Sequence, residues 1–399
     1  MARAYVCGTF DTKGPELQFI AGRLEAAGIA TCCVDLSTRP HDVCVEIKAG
    51  DVAGAHEGGA DAVLGRQDRG AAVTAMSVAF ERFIRTRDDV AGIIGAGGSG
   101  NTALVAPAMR ALPVGVPKLI VSTIASGQVA PYVRESDICM MPSVADVQGL
   151  NSISRRVLAN AAHALAGMVR FRDTQAERSA KPAIGLTMFG VTTSCVQRVA
   201  SMLEATHDCI VFHAVGTGGR SMEALVDAGL ISGVIDVTTT EVCDMMMGGV
   251  FAAEPTRFDA IIRTRVPYVV SCGALDMVNF GAMETVPMQH RERRLHVHNP
   301  QVTLMRTTAE ENARMGAWIA GKLNRMEGEV RLLIPEGGVS AIDVPGQPFH
   351  DPDADRALFD SLMAHVVQTE SRRVVRLPYA INDPPFVEAL VAAFRSIAV

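Results

Sequence analysis

Along this chain short apolar runs alternate with longer stretches in which apolar residues return every third or fourth position. The short runs have the character of strands, and the long ones the 3.6 period of amphipathic helices. In the first half they predict strands at Arg3 to Cys7, Thr31 to Asp35, Ala91 to Ile94, Lys118 to Ile124 and Ile138 to Met141. PELQFIAGRLEAAG and GAAVTAMSVAFERFIRT between them read as helices, and PSVADVQGLNSISRRVLANAAHALAGMVRF as the long helical region that closes the half. The polar segment RDTQAERSAKP follows, which puts a boundary between residues 1–178 and 179–399. The same grammar then resumes, with strands at Ala183 to Thr187, Cys209 to Ala214, Gly233 to Val237, Tyr268 to Cys272, Leu295 to Val297, Val330 to Ile334 and Arg373 to Leu377. Such alternation predicts an α/β fold, with a doubly wound, mainly parallel sheet in each half and an interdomain cleft.

In doubly wound sheets ligands gather at the carboxyl ends of strands. There, Gly92 to Thr102, GIIGAGGSGNT, carries a strand through a glycine-rich turn into a helix. Gly97, Gly98, Ser99, Gly100, Asn101 and Thr102 would leave backbone N–H groups exposed at the positive end of that helix, a cradle for phosphate. Glycine suits the turn because a Cβ would block close approach of the backbone. A tight strand-to-helix turn with no ligand has the same signature. Gly95, Gly97 and Gly100 match G-x-G-x-x-G, yet no acidic residue stands about twenty positions on to hold a ribose, and no Gly-Lys-Ser/Thr ends the loop. The local motif therefore points to phosphate without choosing a nucleotide.

Two further loops can converge on the same crevice. GTFDTKG, after the first strand, offers Gly8, Thr9, Asp11, Thr12 and Lys13. Lys13 could neutralise phosphate and Asp11 could hold Mg²⁺ through water; a solvated turn with Thr12 as a helix cap is the alternative. STIASG offers Ser122, Thr123, Ser126 and Gly127. In the second half HAVGTGGRSMEALV repeats a glycine turn with Gly216, Gly218 and Gly219, and MFGVTTS follows the opening strand as GTFDTKG follows the first. Gly218, Gly219, Glu241, Asp276, Asn279, His298, Asn299 and Arg306 make up a candidate small-molecule set, because most of them are polar residues off strand ends with no evident structural role. His296 and His298 share a strand face at a spacing that suits two metal ligands; without a third ligand in sight, the non-metal reading is preferred. Thr307 or Thr308, ahead of Glu310 and Glu311, predicts a helix cap.

Composition narrows the classes. A chain of 399 residues exceeds what one core usually serves, and 48% hydrophobic with 20% charged residues is a globular balance. A net charge of -6 argues against a nucleic-acid partner. No apolar run approaches the roughly 18 residues that would span a bilayer, and the first residues read as a strand, which leads to a cytoplasmic expectation. The 9 cysteines contain no C-x-x-C pair, and Cys7, Cys139, Cys209 and Cys272 lie in strand-like runs, so reduced core thiols are expected.

CGTFDTKGPE, IIGAGGSGNTALVAPAMRALPVGVPKLIVSTIASG, PSVADVQGLN, HAVGTGGRSMEALV, DVTTTEV, GALDMVNFG and HNPQVTLMRTT resemble, nearly end to end, a bacterial uncharacterised protein family similar to the ATP-binding N-terminal domain of the tomato mosaic virus resistance protein. The resemblance implies two Rossmann-like subdomains, nucleotide binding with magnesium, and assembly into homodimers. ATP as the nucleotide comes from the resemblance alone. By position it places the phosphate-binding loops at Gly8 to Lys13 and Gly97 to Thr102, with Ser122 to Gly127 alongside. The expected function is binding of Mg-ATP together with a small-molecule ligand in the cleft. A non-catalytic, nucleotide-responsive regulatory module is the alternative, and an NAD-dependent oxidoreductase is weakened by the missing acid.

Overall fold

The computed structural model describes residues 2–172 and 181–398, and the chain divides into two compact units, Met1–Ala176 and Glu177–Val399. The expected boundary at 178/179 lies outside the described residues.

In the first unit the apolar runs form β1 (Arg3–Gly8), β2 (Thr31–Asp35), β3 (Val90–Gly97), β4 (Lys118–Ser122) and β5 (Cys139–Pro142). They make one sheet in the order β2-β1-β3-β4-β5, with every pairing parallel. Period-2 side-chain alternation sends alternate residues to opposite faces, and helices cover both. Tyr5, Cys7, Ile93 and Ile120 meet Met76, Phe80, Leu104 and Met109 of helices Arg69–Arg85 and Ser99–Ala111. Ala4, Val6, Ile94, Leu119 and Val121 meet Leu17, Ile20, Leu158 and Leu165 of helices Phe10–Ala26 and Ser152–Arg170. Burial on both faces is why these strands read as continuous apolar runs.

The second unit contains β6 (Ala183–Met188), β7 (Asp208–His213), β8 (Gly233–Thr238), β9 (Tyr268–Gly273), β10 (Met277–Phe280), β11 (Leu295–Asn299), β12 (Val302–Arg306), β13 (Val330–Pro335) and β14 (Arg372–Leu377). Six of them form a parallel sheet, β14-β13-β9-β8-β6-β7. Numbered within its own unit, each sheet begins 2-1-3-4-5. That is the flavodoxin-like doubly wound order, and not the 3-2-1-4-5-6 order of the dinucleotide fold. In both, the connections part company between the first and third strands.

The strand expected at Leu295 to Val297 does not join the parallel sheet. It belongs to a separate antiparallel sheet, β10-β12-β11, inserted between β9 and β13. The core-thiol expectation holds for Cys7 and Cys272, whereas Cys139 is exposed and Cys209 half-buried. Both of the latter sit on edge strands, β5 and β7, where one flank has no neighbouring strand. No helix among the described residues is long and apolar enough to cross a membrane.

Candidate functional site

The divergence of connections in the first unit lies between β1 and β3, so the loops after these two strands are neighbours. β3 ends at Gly97, Gly98 is the N-cap, and the helix starts at Ser99. Gly97 has φ +159, and a Cβ there would lie 2.7 Å from Asn101 Cβ. A Cβ at Gly8 would meet Leu17 Cδ1 at 2.9 Å and Asn101 Oδ1 at 3.0 Å. Asn101 therefore sits where the two strand ends meet, and only glycine leaves it room. Its Nδ2 donates to Ala96 O at 3.0 Å, while Oδ1 is buried without a hydrogen-bond partner.

Among the described residues the backbone N–H groups of Gly98, Ser99, Gly100 and Asn101 meet no protein acceptor. Ser99 and Gly100 are exposed and Gly98 half-buried, so the turn opens to solvent. Unpaired donors at a helix start carry the positive end of its dipole. Thr102 and Ser122 act beneath this surface. Thr102 Oγ1 donates to Gly98 O at 2.9 Å and lies 2.7 Å from Ser122 Oγ, which in turn accepts from Ile124 N at 3.3 Å. These buried hydroxyls fasten the loop after β4 to the glycine turn. Thr123, Ser126 and Gly127 of that loop are exposed. Thr123 and Ser126 line a hollow of about 640 Å³ with Ser143 and Asp146 from the stretch after β5.

The loop after β1 is held from two sides. Lys13 Nζ donates to Val147 O, and Glu16 accepts from Gly149 N at 2.6 Å. Lys13 thus ties its helix to the segment after β5, a partner the sequence did not suggest. Asp11 N donates to Ser37 Oγ at 3.0 Å, with Asp11 Oδ1 3.2 Å from the same oxygen, and Thr9 and Thr12 hydroxyls lie 2.8 Å apart. Beside them Asp35, at the end of β2, is a buried acid that motif reading missed. Its Oδ1 accepts from Phe10 N, Ser37 N and Ser37 Oγ at 3.2, 2.9 and 2.5 Å, and its Oδ2 faces His41 Nε2 at 2.8 Å. Asp35 fixes the shape of the β1 loop.

In the second unit the glycine turn follows β7, the edge strand, and so corresponds in topology to the loop after β2. Its amides are occupied: Glu241 Oε1 accepts from Gly216 N at 2.7 Å and from Gly219 N at 3.1 Å. Gly218 packs so closely that a Cβ would lie 1.8 Å from His213 O. Glu241 is fully buried. Arg257 binds it through Nε at 3.0 Å, and also binds Glu223 at 3.0 Å and Asp236 at 2.7 Å. Tyr268 adds a hydrogen bond to Asp236 at 2.6 Å. Burial lowers the tendency of Arg257 to stay charged, but the three carboxylates outweigh it and raise its pKa well above the ordinary value.

The other polar residues expected to hold substrate fall into two groups. Asp276, Asn279 and Arg306 are buried. Arg306 pairs with Asp343 at 3.1 Å and Asp355 at 2.6 Å, Asp276 accepts from Ser340 at 2.8 Å, and Asn279 bonds Asp244 Oδ1 through N at 2.8 Å and Nδ2 at 3.1 Å. Burial pushes the carboxyls of Asp276, Asp343 and Asp355 up, against the pull of Arg306. His298 and Asn299 instead stand exposed at the end of β11. Thr308 forms the expected capping box with Glu311, while Thr307 bonds Leu275 O at 3.0 Å. Among the described residues no group of three or more His, Cys, Asp or Glu is placed to hold a metal ion.

Comparison with known sequences agrees along the whole chain. Residues 2–174 match the N-terminal domain and residues 181–398 the C-terminal domain of the uncharacterised protein family UPF0261. A UPF0261 protein of Rhizobium meliloti is 57% identical over 100% of both chains. One from Clostridium tetani is 44% identical over 96% of each. The ToMV resistance protein Tm-1(GCR237) of Solanum lycopersicum is 43% identical, covering 99% of this chain and 56% of its own. The chain belongs to the uncharacterised protein family UPF0261.

Proposed function

We propose that the N-terminal unit binds the phosphates of a nucleotide, ATP with Mg²⁺, at the divergence between β1 and β3. The observation that carries this reading is the row of unpartnered amides from Gly98 to Asn101, opening to solvent where doubly wound sheets take their ligands. Thr123 and Ser126 would add hydroxyl donors from the next loop. Dinucleotide binding is disfavoured because no acid follows the glycine turn at the fingerprint's spacing, and Asp35, at the end of β2, is buried with three donors on Oδ1 and His41 on Oδ2. Magnesium fits one role only. It would arrive on the phosphates and keep most of its water, with Asp11, whose Oδ2 has no protein donor among the described residues, as its carboxylate. A small molecule acting together with ATP belongs to the same proposal, and so does the non-catalytic alternative in which ATP only stabilises one state.

Calorimetry with ATP, ADP, NAD and inorganic phosphate in the presence of Mg²⁺ tests the reading. Gly98→Val should weaken ATP by about tenfold or more, roughly 1.4 kcal/mol or above, without unfolding the protein. A Cβ at Gly98 meets nothing nearer than Thr123 Oγ1 at 3.6 Å, and its φ of -87 suits any residue. Lys13→Ala should cost less, since its ammonium already serves Val147 O. ATP binding by Gly98→Val equal to that of the parent would remove the site. ATP consumption across a panel of small acids and amines distinguishes turnover from sensing.

A further inference from the structure

Among the described residues the antiparallel insert has no counterpart in the first unit, and its residues pack at the carboxyl ends of β6 and β7. Phe189, Val191, Ala274, Met277, Leu304 and Phe349 form a small apolar cluster there, separate from the main cores. Beside the cluster a cavity of about 220 Å³ remains open. Its walls are aromatic: Phe189 stands edge to face with Phe251 at 6.2 Å and with His213 at 5.3 Å. Val302 and Leu304 of β12 close the apolar side, and His298 and Asn299, from the end of β11, stand on the rim. The cavity thus has an apolar body with the polar side chains of His213, His298 and Asn299 in its lining, the usual make-up of a small-molecule site. Size narrows the ligand. An apolar cavity of about 150 Å³ takes one benzene ring, so this one holds a ring with a small polar substituent. Its side-chain polar groups are imidazoles and a carboxamide, with no carboxylate among the lining residues, which favours an accepting, anionic substituent over an ammonium group.

We propose that this pocket binds a small aromatic carboxylate, with the ring against Phe189 and Phe251 and the carboxylate on the N–H donors of His213, His298 and Asn299. The site lies wholly within the second unit and does not depend on the nucleotide reading. Saturation-transfer NMR and titration on the full-length protein, with phenylacetate, phenylacetamide, phenethylamine and acetate as probes, decide the matter. Phenylacetate should receive saturation and bind at least about tenfold more tightly than the amine or acetate, with the amide between them. Val302→Trp, which fills the cavity, should abolish the transfer. Phe251→Ala, which removes one wall but adds no bulk, should weaken phenylacetate by about tenfold. His298→Gln should lower the preference for the acid over the amide while leaving the ring contacts. Absence of transfer to every aromatic probe in the parent protein would overturn the site. So would equal phenylacetate affinity in Val302→Trp and Phe251→Ala, with unfolding midpoints unchanged. Equal binding of acid and amine would overturn the carboxylate. Gly98→Val should bind phenylacetate as the parent does, whatever its effect on ATP, so each reading can fail alone.

Discussion

Two glycine turns, each running from a strand into a helix, meet opposite fates in this protein. After β3, the amides of Gly98 to Asn101 have no acceptor among the described residues, and the turn opens to solvent at Ser99 and Gly100. After β7, Gly216 and Gly219 donate to Glu241, a carboxylate the chain supplies from the first turn of the helix after β8, Glu241–Met247. The chemistry is the same in both: bunched N–H groups at a helix start attract negative charge. The difference is whether the fold supplies a carboxylate of its own to them. Where it does, the carboxylate's charge has to be compensated, and Arg257 does this among three acids. A glycine turn in the sequence therefore does not by itself say whether its amides stay open or are taken by one of the chain's own carboxylates.

The comparison is broken most severely by removing the internal compensation. Arg257→Met would leave Glu223, Asp236 and Glu241 without their shared cation, and breaking such a buried network costs about 3–5 kcal/mol. Urea unfolding should show this loss, and hydrogen exchange should confine it to the second unit. Unchanged stability would mean that the occupied turn needs no counter-charge.

Acidity separates the units next. Burial raises the Asp244 carboxyl to about 7, although N–H groups of Asn279 and Phe251 pull the other way. Its folded pKa thus lies above the unfolded value of about 3.9, so the folded state holds the extra proton between roughly pH 4 and 7. The contribution of Asp244 to the second unit's stability should fall as pH rises through that window, by up to about 1.4 kcal/mol per pH unit, and level off above it, while Asp343, raised to about 9, extends the decline to higher pH. In the first unit burial works against the charge of Asp89, but hydrogen bonds from Arg3 and Tyr5 and the charge of Arg87 outweigh it and hold the pKa at about 2. There the contribution is present above pH 4 and lost only as pH falls toward 2. Protection of β8 and β9 amides against that of β1 and β3 from pH 5 to 8, with exchange rates corrected for their intrinsic pH dependence, should therefore move for the second unit alone.

The finest test is a matched pair. Gly219→Ala would bring a Cβ within 2.2 Å of Glu241 Oε2 and 2.8 Å of Arg257 Nε, which should cost about 1–3 kcal/mol. Gly100→Ala, at a similar position in its own helix, meets nothing within 4 Å and should gain roughly 0.5–1 kcal/mol. Equal thermal shifts in the two variants would erase the contrast between an occupied and an open turn.

Much of the fold was legible in the sequence, because a strand buried on both faces has to be apolar throughout and a covering helix has to be apolar on one stripe. The central strands of both parallel sheets could be read on those grounds, and the half-exposed edge strands β5, β7 and β14 only as short runs between helical stretches. The antiparallel insert was not legible: β10 is four residues long, and a short apolar run carries no mark of which sheet it will join. The loops of the candidate site were legible as glycine and hydroxyl clusters. Their inward partners were not. Lys13 reaches Val147 and Glu241 reaches Gly216, contacts between residues far apart in the chain that no local pattern announces.

What the sequence alone determined was where backbone donors would be exposed, since glycine at Gly97 and Gly98 fixes local geometry by the absence of a side chain. Which of those donors stay open was decided only in three dimensions. A buried carboxylate is stable only where amides and a cation converge on it, and here that convergence needs Glu241, Arg257 and the turn after β7 brought together from separate stretches of the second unit.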